Sequence, residues 1–133
     1  MAFWLFMLIS ALLLPATMLV FGRLFQTRPP QEINNLYGYR TARSMQSADA
    51  WRFAHACCGR LWVRCGAIAS AATILVFALL LGRGVQTIGF VGGGLVWLQT
   101  LLLVATFLPV ERKLKNTFDE YGFYKEGRES NER

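Results

Sequence analysis

The chain has 133 residues, of which 54% are hydrophobic, with a formal net charge of +6 and a mean hydropathy of +0.35. Its apolar residues come in blocks, which excludes an ordinary soluble domain of this size, because such a domain needs polar positions on every outward face. Residues 2–22, 65–81 and 88–110 are almost free of charge, and at about 1.5 Å per residue each is about long enough to cross a hydrocarbon core of roughly 30 Å.

The basic excess is unevenly placed. Arg23, Arg28, Arg40, Arg43, Arg52, Arg60 and Arg64 lie between the first two apolar blocks against only Glu32 and Asp49, Arg83 stands alone between the second and third, and the six basic and six acidic side chains from residue 111 onward cancel. Orientation follows Lys and Arg near the membrane ends and gives acids little weight. The first connection and the C-terminal tail are therefore expected in the cytoplasm, with the N-terminus outside. This sorting, together with attraction to anionic lipid headgroups, accounts for the positive charge without nucleic acid. The expected fold is an all-α membrane protein and a single membrane domain. It has three transmembrane helices over about 2–24, 57–82 and 87–110, a cytoplasmic connection over 25–56 and a cytoplasmic tail over 111–133. An interfacial amphipathic helix leads into the second span, and a short helix lies in the tail.

In chain order, the first block has no Lys or Arg before it and no small-x-small cleavage site, which suits a retained span rather than a cleaved signal. Trp4 fits an outer interfacial anchor. Pro15 lies mid-span and is expected to kink the helix where Ser10, Thr17 or a neighbouring helix compensates. Arg28-Pro29-Pro30 ends any helix and enforces an extended passage. The polar stretch Asn34–Trp51 follows, the only long polar interruption between the apolar blocks. Gly38, between Tyr37 and Tyr39, permits a tight turn. Ser44 and Ser47 are both plausible N-caps, with Asp49 in the first helical turn. Trp51, Ala54, Cys58 and Leu61 then recur at helical spacing, and a bend near Gly59 or Gly66 would carry this amphipathic helix into the second span.

Cys57, Cys58 and Cys65 are expected as reduced thiols on the cytoplasmic side, since adjacent cysteines hardly bridge each other. His55 and Cys58 have i, i+3 spacing, but two ligands make no metal site, and no metal or other cofactor is expected. Gly82-Arg83-Gly84 makes spans two and three a hairpin, and the small residues of span two together with the Gly89/Gly93 pair are expected to pack those two helices together. Gln99 and Thr100 should face the bundle or a second copy of the chain. Pro109 is expected to close span three, Leu114 and Phe118 to mark a short amphipathic helix, and Gly122 to stop it. The charged tail from Lys125 onward is expected to be disordered.

The polar stretch also carries chemistry. Arg40 offers a rigid fork of donors suited to a carboxylate or lipid phosphate, with Asp119 or Glu111 as its expected partner. Tyr39 and Trp51 suit the headgroup level, polar tips toward water. Asn34, Arg40, Asp119 and Trp51 would equally serve to tie the loop and tail onto the bundle. A nucleophile with a base, or a metal with enough ligands, is missing from the candidates His55, the cysteines and the tail acids, so no enzyme is expected.

Two motifs in this order resemble the SdpI family of small bacterial membrane proteins. One is N-x-x-x-G-Y-R-T, as Asn34, Gly38, Tyr39, Arg40 and Thr41, followed by Ser44 and Trp51; the other is Glu111, Leu114, Phe118, Asp119, Glu120 and Gly122. The resemblance implies a multi-pass protein of the bacterial inner membrane. It implies binding through Asn34, Gly38, Tyr39, Arg40, Thr41, Ser44, Trp51, Glu111, Phe118 and Asp119. The best-known member of that family, longer by extra N-terminal spans, protects its cell against a secreted membrane-active peptide toxin and holds a repressor at the membrane. The expected partners are therefore anionic lipid with a peptide toxin or a cytoplasmic regulator protein, and the expected role is toxin resistance or, alternatively, signal relay.

Overall fold

A computed structural model describes residues 1–125. The expected disorder beyond Lys125 falls on residues outside that range. Four helices follow in order: α1 over Ala2–Thr27, α2 over Ala48–Leu79, α3 over Val85–Ala105 and α4 over Phe107–Thr117. Three stretches, Ala2–Thr27, Ala48–Leu79 and Val85–Thr117, are long and apolar enough to cross a membrane.

The central pair is α1 against α2. A methyl group added to Gly22 would lie 2.9 Å from Val63, one on Gly59 would lie 2.8 Å from the Gly22 carbonyl, and one on Gly66 would lie 3.0 Å from the Pro15 carbonyl. Backbones this close require the missing side chains, as expected where van der Waals contact rather than hydrophobicity drives helices together in lipid. The Trp4 indole Nε1 donates to the Phe77 carbonyl at 2.9 Å and ties the start of α1 to the end of α2.

The expected packing of span two on span three through their small residues is corrected here. The glycine stripe of α2 is occupied by α1, and α3 rests more on α1 than on α2. Gly89 faces Phe3, Gly92 faces Met7 and Phe77, and a methyl group on Gly93 or Gly94 would meet nothing within 4 Å.

Across Gly59 and Gly66 the chain stays within one helix of 32 residues, about 48 Å long and so longer than the hydrocarbon core. Its first turns do not lie free on a surface, because Ala50, Trp51, Ala54 and His55 are buried in the fold. Of the two cap candidates, Ser47 is the N-cap and accepts from the Ala50 amide at 3.0 Å.

Helix α3 ends at Ala105, within the apolar stretch that runs on to Thr117. Pro109 lies in the first turn of α4 rather than closing the span, where a missing N–H costs nothing. The break falls at Thr106, whose hydroxyl accepts from Trp62 Nε1 at 3.0 Å. Helix α4 buries Val110, Leu114 and Thr117 on one side and ends at Thr117. Gly122 therefore does not stop the helix but sits in a later turn.

Candidate functional site

The polar stretch forms a loop laid across the N-terminal turns of α2. Asn34 fixes its entry: Oδ1 accepts from the Leu36 and Tyr37 amides at 3.0 and 2.7 Å, while Nδ2 donates to the Glu32 carbonyl at 3.1 Å. Gly38 then crosses the His55 ring with φ of +119°, and a Cβ there would lie 2.5 Å from His55 Nε2. Only glycine meets both the left-handed backbone and the close approach. The next amide, Tyr39 N–H, donates to His55 Nε2 at 2.9 Å. His55 Nδ1 lies 2.7 Å from the Trp51 carbonyl, so that nitrogen carries the proton and Nε2 is left to accept. Trp51 Nε1 donates to the Pro30 carbonyl at 2.8 Å. Farther along the loop, the fully buried Ser44 hydroxyl accepts from the Thr41 amide at 2.9 Å and donates to the Tyr39 carbonyl at 2.8 Å. The Ser44 amide returns a bond to Thr41 Oγ1 at 3.2 Å.

Two expectations change. Tyr39 and Trp51, 4% and 0% exposed, do not point polar tips toward water; both reach protein acceptors. Arg40 pairs with neither Asp119 nor Glu111. It is exposed, and its Nη1 donates to the Asn35 carbonyl, so no buried charge demands a counter-ion there.

Glu111 instead accepts from the Tyr39 hydroxyl at 2.8 Å and faces Arg43 at 3.7 Å. This joins the loop to α4. Burial, and then the hydrogen bond and charge of Glu111, push the Tyr39 phenol well above its ordinary 10.0, so it stays a neutral donor to the carboxylate. Asp119 braces its own turn, with Oδ1 accepting from the Tyr121 and Phe123 amides, both at 2.9 Å. That turn is held to the loop twice: Gln46 Nε2 donates to the Glu120 carbonyl at 2.7 Å and Ser47 Oγ to the Gly122 carbonyl at 2.6 Å. Phe118, 3% exposed, packs edge-on against Phe53 and at a tilt against Tyr124.

The ten residues selected from sequence thus belong to one loop-and-tail platform over the end of α2. Six of them, Asn34, Gly38, Thr41, Ser44, Trp51 and Asp119, serve its internal bonding. Tyr39 and Arg40 with Gly38 and Thr41 also line a cleft of about 210 Å³ walled by Phe25, Trp62 and Phe107. Tyr39 stacks on Phe107 at 5.4 Å between ring centroids. A second cleft of about 300 Å³, lined by Arg43, Lys115, Phe118, Asp119, Glu120 and Lys125, lies where loop meets tail. The sequence does not mark Arg43, Trp62 and Phe107 as site residues, and it suggests His55 as a ligand or a base rather than as the acceptor that holds the loop. The available signal was a lone histidine four residues after Trp51 on the apolar stripe of a helix, where a buried ring requires two partners.

The family model described as the SdpI/YfhL protein family matches residues 31–110. The chain is 32% identical over 115 residues to the uncharacterized protein YfhL of Bacillus subtilis (strain 168), covering 84% of this chain and 91% of that protein. The matched family range contains the whole polar stretch and ends one residue before Glu111. No solved structure matches the chain.

Proposed function

Because the chain belongs to the SdpI/YfhL protein family, we propose that it is a non-enzymatic binding protein of the bacterial inner membrane, protecting its cell by engaging a membrane-active peptide at the cytoplasmic face. The observation that carries this reading is the Arg40 cleft. An exposed guanidinium with no carboxylate partner among the described residues lines a cleft with Phe25, Tyr39, Trp62 and Phe107, the pairing suited to an amphipathic peptide that offers a carboxylate and an apolar side chain together. In this reading the N-terminus is outside and anionic headgroups surround the unpaired arginines of the connection.

Expression in a host sensitive to a panel of membrane-active peptides should raise resistance to at least one of them. Arg40→Ala and Trp62→Ala should each remove that resistance while the protein still reaches the membrane at normal levels. Resistance to none of the panel, or resistance untouched by both substitutions, contradicts the proposal. The second reading, a relay that captures a cytoplasmic regulator, draws support from the mixed-charge cleft of Arg43, Lys115, Asp119, Glu120 and Lys125. Charge reversal at Lys115 should abolish capture of such a regulator and leave peptide resistance intact.

A further inference from the structure

The charge-free blocks of α1 and α2 end at one depth. Arg23 is the first charge after the block 2–22 and Arg64 the last before the block 65–81, and the contact of Gly22 with Val63 brings these two limits level. Just beyond them, on the side of the loop and tail, a cleft of about 310 Å³ opens between the helices, lined by Phe25, Gln26, Pro29, Arg52, Ala56 and Arg60. Phe25 lies two residues past Arg23 and Arg60 four residues before Arg64. Those steps are about 3 and 6 Å along a helix, within the headgroup layer that adds roughly 5–8 Å to each face of the hydrocarbon core. Arg52, Ala56 and Arg60 follow one another at i, i+4 and i+8, so both arginines stand on one face of α2 and the single methyl of Ala56 leaves the floor between them low. Both are exposed, and neither has a carboxylate within ion-pair distance among the described residues, even though Asp49 lies one turn before Arg52. No acidic residue lines the cleft.

A cleft lined by one sign of charge concentrates the opposite sign. At this depth the membrane supplies it, as the phosphodiester of an anionic phospholipid, whose two unesterified oxygens can each accept one guanidinium fork. Phe25 and Pro29 give the lipid backbone an apolar wall, and the exposed Gln26 adds an amide donor beside it. A zwitterionic lipid would bring a quaternary ammonium to the same place, where two positive charges oppose it. We propose that this cleft seats one anionic phospholipid of the leaflet on the loop side, with its phosphate held between Arg52 and Arg60. The site sharpens the general attraction of headgroups to the basic connection into one built seat, and it is independent of peptide binding, which engages the separate cleft at Arg40.

The test is native mass spectrometry of the delipidated full chain, titrated with phosphatidylglycerol or with phosphatidylcholine of the same acyl chains. Wild type should retain one phosphatidylglycerol in preference to phosphatidylcholine. Arg52→Gln and Arg60→Gln should each reduce that retention by roughly 5-fold, whereas Arg23→Gln, the same loss of charge at the hydrocarbon edge but outside the cleft, should change it by less than about 2-fold. Ala56→Leu keeps both arginines but raises the floor between them, and it should weaken retention as much as either arginine substitution. Helical content and melting temperature check that each variant folds; if Ala56→Leu does not, the contrast between Arg60→Gln and Arg23→Gln decides. Equal retention of the two lipids, equal losses in Arg23→Gln and Arg60→Gln, or retention untouched in a folded Ala56→Leu overturns the proposal and leaves only diffuse attraction. Displacement of the bound lipid by millimolar inorganic phosphate also overturns it, giving the cleft to a soluble anion.

Discussion

At the scale of single residues, the platform turns on two side chains that accept from the loop, His55 and Glu111. His55 Nε2 receives the Tyr39 amide inside the fold. His55→Ala strands that N–H in a buried position, which should lower stability by about 1–3 kcal/mol before any cost of the cavity. His55→Gln, which keeps an acceptor at similar reach, should recover part of the loss; thermal unfolding in detergent measures both. The Tyr39–Glu111 bond carries a pH signature. An unfolded tyrosine ionises near 10.0, whereas folded Tyr39 holds its proton to higher pH. The folded state is then the one that binds more protons, so the stability this pair contributes is complete below pH 10.0 and declines as pH rises above it. Tyr39→Phe should lower stability by about 1–2 kcal/mol at neutral pH and flatten the alkaline decline. A decline of equal steepness in Tyr39→Phe would show that the phenol does not cause it.

At the scale of elements, glycines separate packed from open surface. Gly59 and Gly22 touch through backbone, so Gly59→Val should force α1 and α2 apart and cost about 1–3 kcal/mol. Gly93→Ala adds a methyl to open space in a helix interior and should change stability by no more than about 1 kcal/mol, in the favourable direction. Equal effects at the two sites in a melting assay would contradict the α1–α2 pairing. In the tail, Gly122 has φ of +84°, and a Cβ there would lie 2.8 Å from Ser47. Gly122→Ala should therefore loosen the tail from the α2 N-cap, read as faster proteolysis after Thr117. The blocks of apolar residues made three membrane-length helices legible, because hydropathy depends on composition alone. Helix pairing was not legible: glycines in α2 and α3 look alike in sequence, and only the direction each faces around its helix decides which one meets a neighbour. The same limit hid the break at Thr106, since Pro109 stops a preceding helix and starts a following one equally well.

At the scale of the whole molecule, a loop from the first connection and a turn after α4 close over the end of one long helix. The residues that meet there were readable as two motifs, but their partners were not. Arg40 was expected to find a carboxylate, yet Glu111 meets Tyr39 and Arg43, and Arg40 donates to the Asn35 carbonyl of its own loop. Contacts across 72 to 75 positions, such as Tyr39 to Glu111 and Ser47 to Gly122, leave no local trace in a single sequence. The platform requires the loop and the tail to share one side of the membrane, with the Gly82–Gly84 turn on the other. Cysteine labelling with a membrane-impermeant maleimide tests this directly, using Leu36→Cys and Tyr121→Cys, at positions 93% and 75% exposed, and Arg83→Cys. The first two should react in inverted vesicles and stay protected in intact cells, and Arg83→Cys should do the reverse. Reaction of Leu36→Cys and Tyr121→Cys from opposite sides would contradict the platform.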